Sequence, residues 1–176
     1  MQARLGYVSV PGRGANDRLL CAVADRLSRD GLRVAGTVQE ARERPGRALC
    51  DMDLKVMPDG PTLRISEERG DLARGCRLDA SVLEEAVMLV TERLPQAEVL
   101  VVNKFGKRES EGGGFVTVIA AAIEAGIPVI VGVNALNLTA FLSFAGDLAT
   151  ALPGEAAAIR SWVADAVGSA RLEVAC

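Results

Sequence analysis

The chain of 176 residues is 49% apolar but only 3% aromatic, carries a formal net charge of −3 and has no histidine. That composition excludes a Ser-His-Asp triad, a Cys-His pair and a histidine-ligated metal, and it leaves no basic footprint for nucleic acid. Four cysteines without a CxxC pair, no apolar stretch near the roughly 20 residues of a membrane span and an N-terminus that leads straight into a strand predict a cytoplasmic protein with reduced thiols.

Residues 4–10 predict a first strand, followed by the loop Pro11-Gly-Arg-Gly-Ala-Asn-Asp17. From Asn16 or Asp17 the apolar residues Leu19, Leu20, Val23, Ala24 and Leu27 recur at helical spacing until Gly31 stops the helix. Residues 32–39 predict a second strand, which completes a βαβ unit with glycines at its first turn. The segment at about 40–77 breaks the rhythm. Leu54-Lys-Val-Met and Thr62-Leu-Arg-Ile-Ser66 alternate around Pro58-Asp-Gly-Pro61, the pattern of an antiparallel hairpin inserted beside the carboxyl edge of the sheet. A loop with Arg69, Arg74 and Arg77 follows. Asp79 or Ser81 caps a helix through Leu83, Ala86, Val87, Val90 and Leu94. Next come the apolar run Val99-Leu-Val-Val102, a Gly112-Gly-Gly114 loop, a helix over 115–125 and a strand over 128–133. A helix over 138–151 precedes Pro153-Gly154, and an Ala-rich final helix carries Trp162. Alternating strands and helices predict one α/β domain over residues 1–176, a three-layer P-loop NTPase-like parallel sheet with the inserted β-hairpin.

The loop after the first strand, at a helix start, has the place of a Walker A loop, Gly-x-x-x-x-Gly-Lys-Ser/Thr, whose amides cradle phosphates while its Lys and hydroxyl hold phosphate and magnesium. Gly12 and Gly14 keep the amide nest, and Arg13 and Arg18 add charge at a helix N-terminus. The Lys position holds Ala15 and the hydroxyl position Asn16. The alternatives are an anion-binding loop and a tight structural turn with solvated arginines.

The run 99–102 suits a strand buried on both faces. At its carboxyl end a nucleotide hydrolase places Asp, and often Glu, to hold magnesium and orient water. Here Asn103 and Lys104 stand there, and a neutral amide and a cation cannot hold a divalent metal, so no magnesium site is expected. Lys104, Lys107 and Arg108 lie where open α/β sheets bind ligands; with Arg13 they either line an anion pocket or form a solvated basic turn. A guanine-reading Asn-Lys-x-Asp motif lacks its base-reading carboxylate, because Gly106 stands where the Asp would be.

Asp51 and Asp53 share one face of an extended segment, opposite Cys50, Met52 and Leu54. They are accessory candidates for a cation or for Arg74 of the nearby loop, or else the charged face of an edge strand. Cys50 and Cys76 flank the insertion, either as buried thiols or at a pocket mouth. Asn134 ends a strand within reach of the same edge, and Asn137 is a helix cap candidate.

The loop with Pro11-Gly-x-Gly14 and the strand ending Phe105-Gly-Lys107 resemble the small nucleoside-triphosphatases of archaea, bacteria and vertebrates. Their Asp-Glu-Ile-Gly-x-Met-Glu strand end overlays Asn103-Lys-Phe-Gly-Lys-Arg-Glu109, so the resemblance puts the magnesium-binding acid on Asn103 and the catalytic Glu on Lys104, with Gly106 and Glu109 matching. The whole sequence is similar to a bacterial family of P-loop-like proteins with no assigned biochemical role. That family shares the Gly6-Tyr-Val start, Pro11-Gly-Arg-Gly14, Cys50-Asp-Met-Asp-Leu54 and Val102-Asn-Lys-Phe-Gly-Lys107. Its genes are often met near molybdate-uptake genes.

The expected function is a non-hydrolysing, or very weakly hydrolysing, binding protein for a phosphate-bearing ligand or an oxyanion such as molybdate. Gly12, Arg13, Gly14, Ala15, Asn16, Asn103, Lys104, Lys107 and Asn134 are its expected ligand-binding residues. One alternative is a nucleoside triphosphatase using Asp51 or Asp53 for magnesium. Another is a regulator that binds a protein partner or a second copy of itself and keeps a vestigial nucleotide site. The expected partner is a small anion or nucleotide, with no nucleic acid, no membrane and no assigned cofactor.

Overall fold

The computed structural model describes residues 4–42, 51–66 and 78–174. Among these, seven strands form one sheet in the order β4-β3-β2-β5-β6-β1-β7. The strands are β1 Leu5–Val8, β2 Val34–Arg42, β3 Asp51–Met57, β4 Thr62–Arg64, β5 Val99–Val102, β6 Val129–Gly132 and β7 Ala149–Ala151. β2, β5, β6, β1 and β7 pair in parallel, while β2-β3 and β3-β4 are antiparallel. The helices are α1 Ala15–Arg29, α2 Ala80–Arg93, α3 Lys107–Ser110, α4 Val116–Glu124, α5 Leu138–Ala145 and α6 Ala156–Val174.

Three layers follow from the period-2 alternation of the strands. In β5, Val99 and Val101 enter a core with Leu20, Val23 and Leu27 of α1 and Ile159 and Val163 of α6. Leu100 and Val102 enter the opposite core with Leu83, Ala86 and Val90 of α2, Ile119 of α4 and Phe141 of α5. All four β5 residues are buried, as a central parallel strand requires. Gly132 lets β6 approach closely, since a Cβ there would lie 2.2 Å from the Asn103 carbonyl oxygen.

The hairpin forms where its alternation and turn residues predict it, and it joins the sheet through β2. Strand β2 runs to Arg42 rather than stopping at Gln39. Its first part, Val34 to Gly36, pairs with β5, and the stretch from Gly36 onward pairs with β3. Beyond Gly36 the strands β2 and β5 therefore part company, which opens the carboxyl edge of the sheet beside the hairpin.

Two further elements differ from expectation. The helix expected over 138–151 ends at Ala145: Gly146 follows at φ +55, then a 3-10 turn, and Ala149–Ala151 pairs with β1 as the edge strand β7. Three small residues give no periodic signal, so pairing with β1 decides their conformation. The short helix α3 was not expected; Glu109 creates it by accepting a hydrogen bond from the Gly106 amide at 2.9 Å. No helix among the described residues is long and apolar enough to cross a membrane.

Candidate functional site

The β1–α1 loop holds Gly12 at φ +109 and Gly14 at φ +69, backbone that only glycine adopts without strain. The Ala15 amide donates to the Gly12 carbonyl at 3.2 Å and the Arg18 amide to the Gly14 carbonyl at 3.1 Å. Asn16 binds on both sides: its Oδ1 accepts from the Val10 amide at 2.8 Å, and its Nδ2 donates to the Val133 carbonyl at 3.1 Å. The Val10 and Ala15 amides are thus committed within the protein. Gly12, Arg13 and Gly14 keep their amides at the N-terminus of the 15-residue helix α1, where the dipole favours an anion. Arg13 is exposed and forms no ion pair among the described residues.

At the end of β5, Asn103 is 2% exposed. Its Oδ1 accepts from the Gln39 amide at 3.1 Å, and its Nδ2 donates to Asp17 Oδ1 at 3.0 Å and Gln39 Oε1 at 3.4 Å. The Gln39 amide lies on β2 just past the point where β5 leaves it, so Asn103 supplies the missing ladder acceptor. The same side chain ties β5 to the first turn of α1.

P-loop folds commonly hold magnesium here, through a hydroxyl at position 16 and an acid at position 103. The side chains at these positions do not fit the ion. Ala15 offers no side-chain ligand, and the Asn16 and Asn103 amides have both ends in hydrogen bonds. No group of three potential metal ligands occurs among the described residues.

Lys104 follows Asn103, is exposed and has no acidic partner among the described residues. Lys107 Nζ lies 4.0 Å from Glu111, and Arg108 pairs with Glu84 at 3.5 Å. Glu109 is buried and accepts from the amides of Gly106 (2.9 Å) and Phe115 (3.1 Å), joining the starts of α3 and α4. A cavity of about 290 Å³ opens between this loop, α2 and the hairpin. Asn103, Lys104, Lys107 and Asn134 line it, whereas residues 12–16 do not. The hydrogen bonds Asn103–Asp17 and Asn16–Val133 tie the start of α1 to the ends of β5 and β6. Asn134 Oδ1 accepts from Asn137 Nδ2 at 3.0 Å and from the Asn137 amide at 3.1 Å, so Asn134, not Asn137, is the capping side chain.

Asp53 is buried and bound to Arg64 Nε across the hairpin at 3.2 Å. It alternates with Met52 and Leu54, which line the cavity from the other face of β3. Asp51 is described only as the first residue of β3, and Cys50, Arg74 and Cys76 lie outside the described residues. Cys21 Sγ donates to the Gln39 carbonyl at 3.4 Å; burial, then the charges of Glu40 and Asp17, push its thiol above the ordinary range. Sequence reasoning missed Thr37 and Gln39, buried polar residues at the open end of β2. Their available signal was two polar residues at alternate positions beside Val34, Ala35 and Val38.

Comparison with known proteins agrees with this architecture. A family model described as "Protein of unknown function (DUF2478)" matches residues 5–162. A molybdenum import ATP-binding protein, ModC 2, of Bradyrhizobium diazoefficiens is 34% identical over 150 residues, covering 85% of this chain and 17% of that protein. The chain therefore spans less than a fifth of that curated relative. The solution structure of a human cancer-related nucleoside triphosphatase superposes with a TM-score of 0.52 at 16% identity, covering 95% of this chain and 96% of that one. The fold is the P-loop NTPase-like α/β fold.

Proposed function

The chain belongs to the DUF2478 family, and from that premise we propose that it binds a phosphate-bearing ligand or a tetrahedral oxyanion at the residue 12–14 loop without hydrolysing it. The observation that supports this reading is the internal commitment of Asn16 and Asn103 at the two magnesium positions. The glycine geometry and the amides of Gly12, Arg13 and Gly14 are kept. Arg13, exposed beside these amides, supplies neutralising charge. No side chain at these positions orients an attacking water in the manner of a hydrolase. The name of the Bradyrhizobium relative, a molybdenum import ATP-binding protein, makes molybdate the first oxyanion to try.

A thermal-shift panel of ATP, GTP, phosphate, sulfate, molybdate and tungstate, with magnesium or with EDTA, tests the proposal. A ligand at 100 times its Kd adds about 2.7 kcal/mol, and each kcal/mol raises Tm by roughly 2–4 °C in a chain of this length. The expected result is a clear rise with one ligand that is equal in EDTA, is reduced in Arg13→Ala and accompanies no phosphate release from ATP or GTP. Magnesium-dependent turnover overturns the non-hydrolysing reading. A flat panel overturns anion binding itself.

A further inference from the structure

The cavity beside the hairpin has features that the glycine loop does not explain. Thr37 is 1% exposed, lines the cavity, and its Oγ1 has no hydrogen-bond partner. Buried hydroxyls are almost always paired, so an orphan on a residue that lines a cavity marks a place for a polar atom from outside the fold. Arg108 Nε, also on the cavity wall, is likewise buried and unpartnered. The remaining surface is largely apolar, with Leu54, Leu83 and Phe115 on different elements. At about 290 Å³ the space sits at the small end of ligand pockets, which run roughly 300–1,000 Å³.

The charges around it select the ligand's sign. Lys104 has no acidic partner among the described residues, while both oxygens of Glu109 accept backbone amides. Glu84 is held by Arg108 and by the Gly114 amide. An incoming cation would find no unengaged carboxylate among the described lining residues, whereas an anion would find Lys104 and the unpartnered Nε of Arg108, whose other edge pairs with Glu84.

We propose that this cavity binds a small organic acid with an aromatic or branched apolar body. The body packs on Leu54, Leu83 and Phe115, a second polar group reaches Thr37 Oγ1, and the acid group lies by Lys104 and Arg108. The inference stands apart from anion binding at the glycine loop, because no residue of that loop lines the cavity.

Titration calorimetry of the full chain with benzoate and 4-hydroxybenzoate tests it, with inorganic phosphate and ATP as competitors. The wild type is expected to bind both acids, and 4-hydroxybenzoate about fivefold more tightly, the value of one buried hydrogen bond. Thr37→Val, which keeps shape and removes the hydroxyl, is expected to abolish that ratio while retaining benzoate. Leu83→Trp fills the space and is expected to abolish binding of both acids. Phosphate and ATP are expected not to compete. Failure of either acid to bind at millimolar concentration overturns the proposal, as does an unchanged ratio in Thr37→Val. Competition by phosphate also overturns it, by moving the acid to the glycine loop. If Leu83→Trp does not fold, the Thr37→Val ratio decides alone.

Discussion

Asn103 stands where a nucleotide hydrolase carries a carboxylate, and its neighbours explain the amide. It must accept from the Gln39 amide and donate to Asp17 Oδ1 at once, and only a side chain with both an acceptor and a donor does so. Asn103→Ala leaves the buried Gln39 amide unsatisfied and should cost about 2 kcal/mol, lowering Tm by roughly 4–8 °C in thermal melts. Asn103→Asp puts a second carboxylate where Nδ2 now lies 3.0 Å from Asp17. One acid of that pair then has its folded pKa raised above its unfolded value. The variant's deficit should be absent below the ordinary carboxylate range and grow as pH rises through it; melts from pH 3 to 8 that show a constant deficit contradict this account. Cys21 offers a second test at the same scale. Its thiol is held protonated by burial first and by Glu40 and Asp17 next, so iodoacetamide should label it more slowly than a free thiol at neutral pH. The residue types at 103 and 104 were legible as incompatible with magnesium, whereas the partners of Asn103 were not, because they come from α1 and β2, far away in the chain.

Glu109 shows the same principle for whole elements. One buried carboxylate starts α3 through the Gly106 amide and α4 through the Phe115 amide. Gly114, at φ +56, has no room for a Cβ against it. Glu109→Ala strips the acceptor from two amides and should cost about 2–4 kcal/mol, read as a fall in Tm of roughly 4–16 °C. Helix α2 carries a cap of the ordinary kind: Asp79 accepts from the Ser81 hydroxyl and from the Ser81 and Val82 amides. Those bonds, the Ser81 hydroxyl first, hold its carboxyl below the ordinary value. Its contribution is therefore present above the unfolded carboxylate pKa and lost as pH falls through the lower folded one. Asp79→Ala should lower Tm at neutral pH and lose that effect in strong acid. The cap was readable because it lies one residue before its helix, and the paired amides of Glu109 were not, because they lie on either side of a loop of glycines.

Across the whole molecule, Arg160 of α6 donates from Nε and Nη2 to the two carboxylate oxygens of Asp30 at the end of α1. The Arg160 hydrogen bond depresses the Asp30 carboxyl, so this clasp too is present above the unfolded carboxylate pKa and weakens as pH falls through the folded value. Asp30→Asn should flatten the acid limb of an unfolding curve between about pH 2 and 5, and an unchanged limb would remove the clasp from the account. By itself the sequence determined the α/β class, the buried central strand at 99–102, the hairpin around Pro58 and the loss of the magnesium-binding residue types. Each of these depends on side-chain chemistry or on periodicity within a few consecutive residues. Only the tertiary structure decided that β7 is a strand, that Asn16 and Asn103 fasten the loop to the sheet, and that Thr37 faces a cavity. These depend on pairing between segments distant in the chain, β7 with β1 at one side of the sheet and β2 with β5 and β3 at the other, which no local pattern encodes.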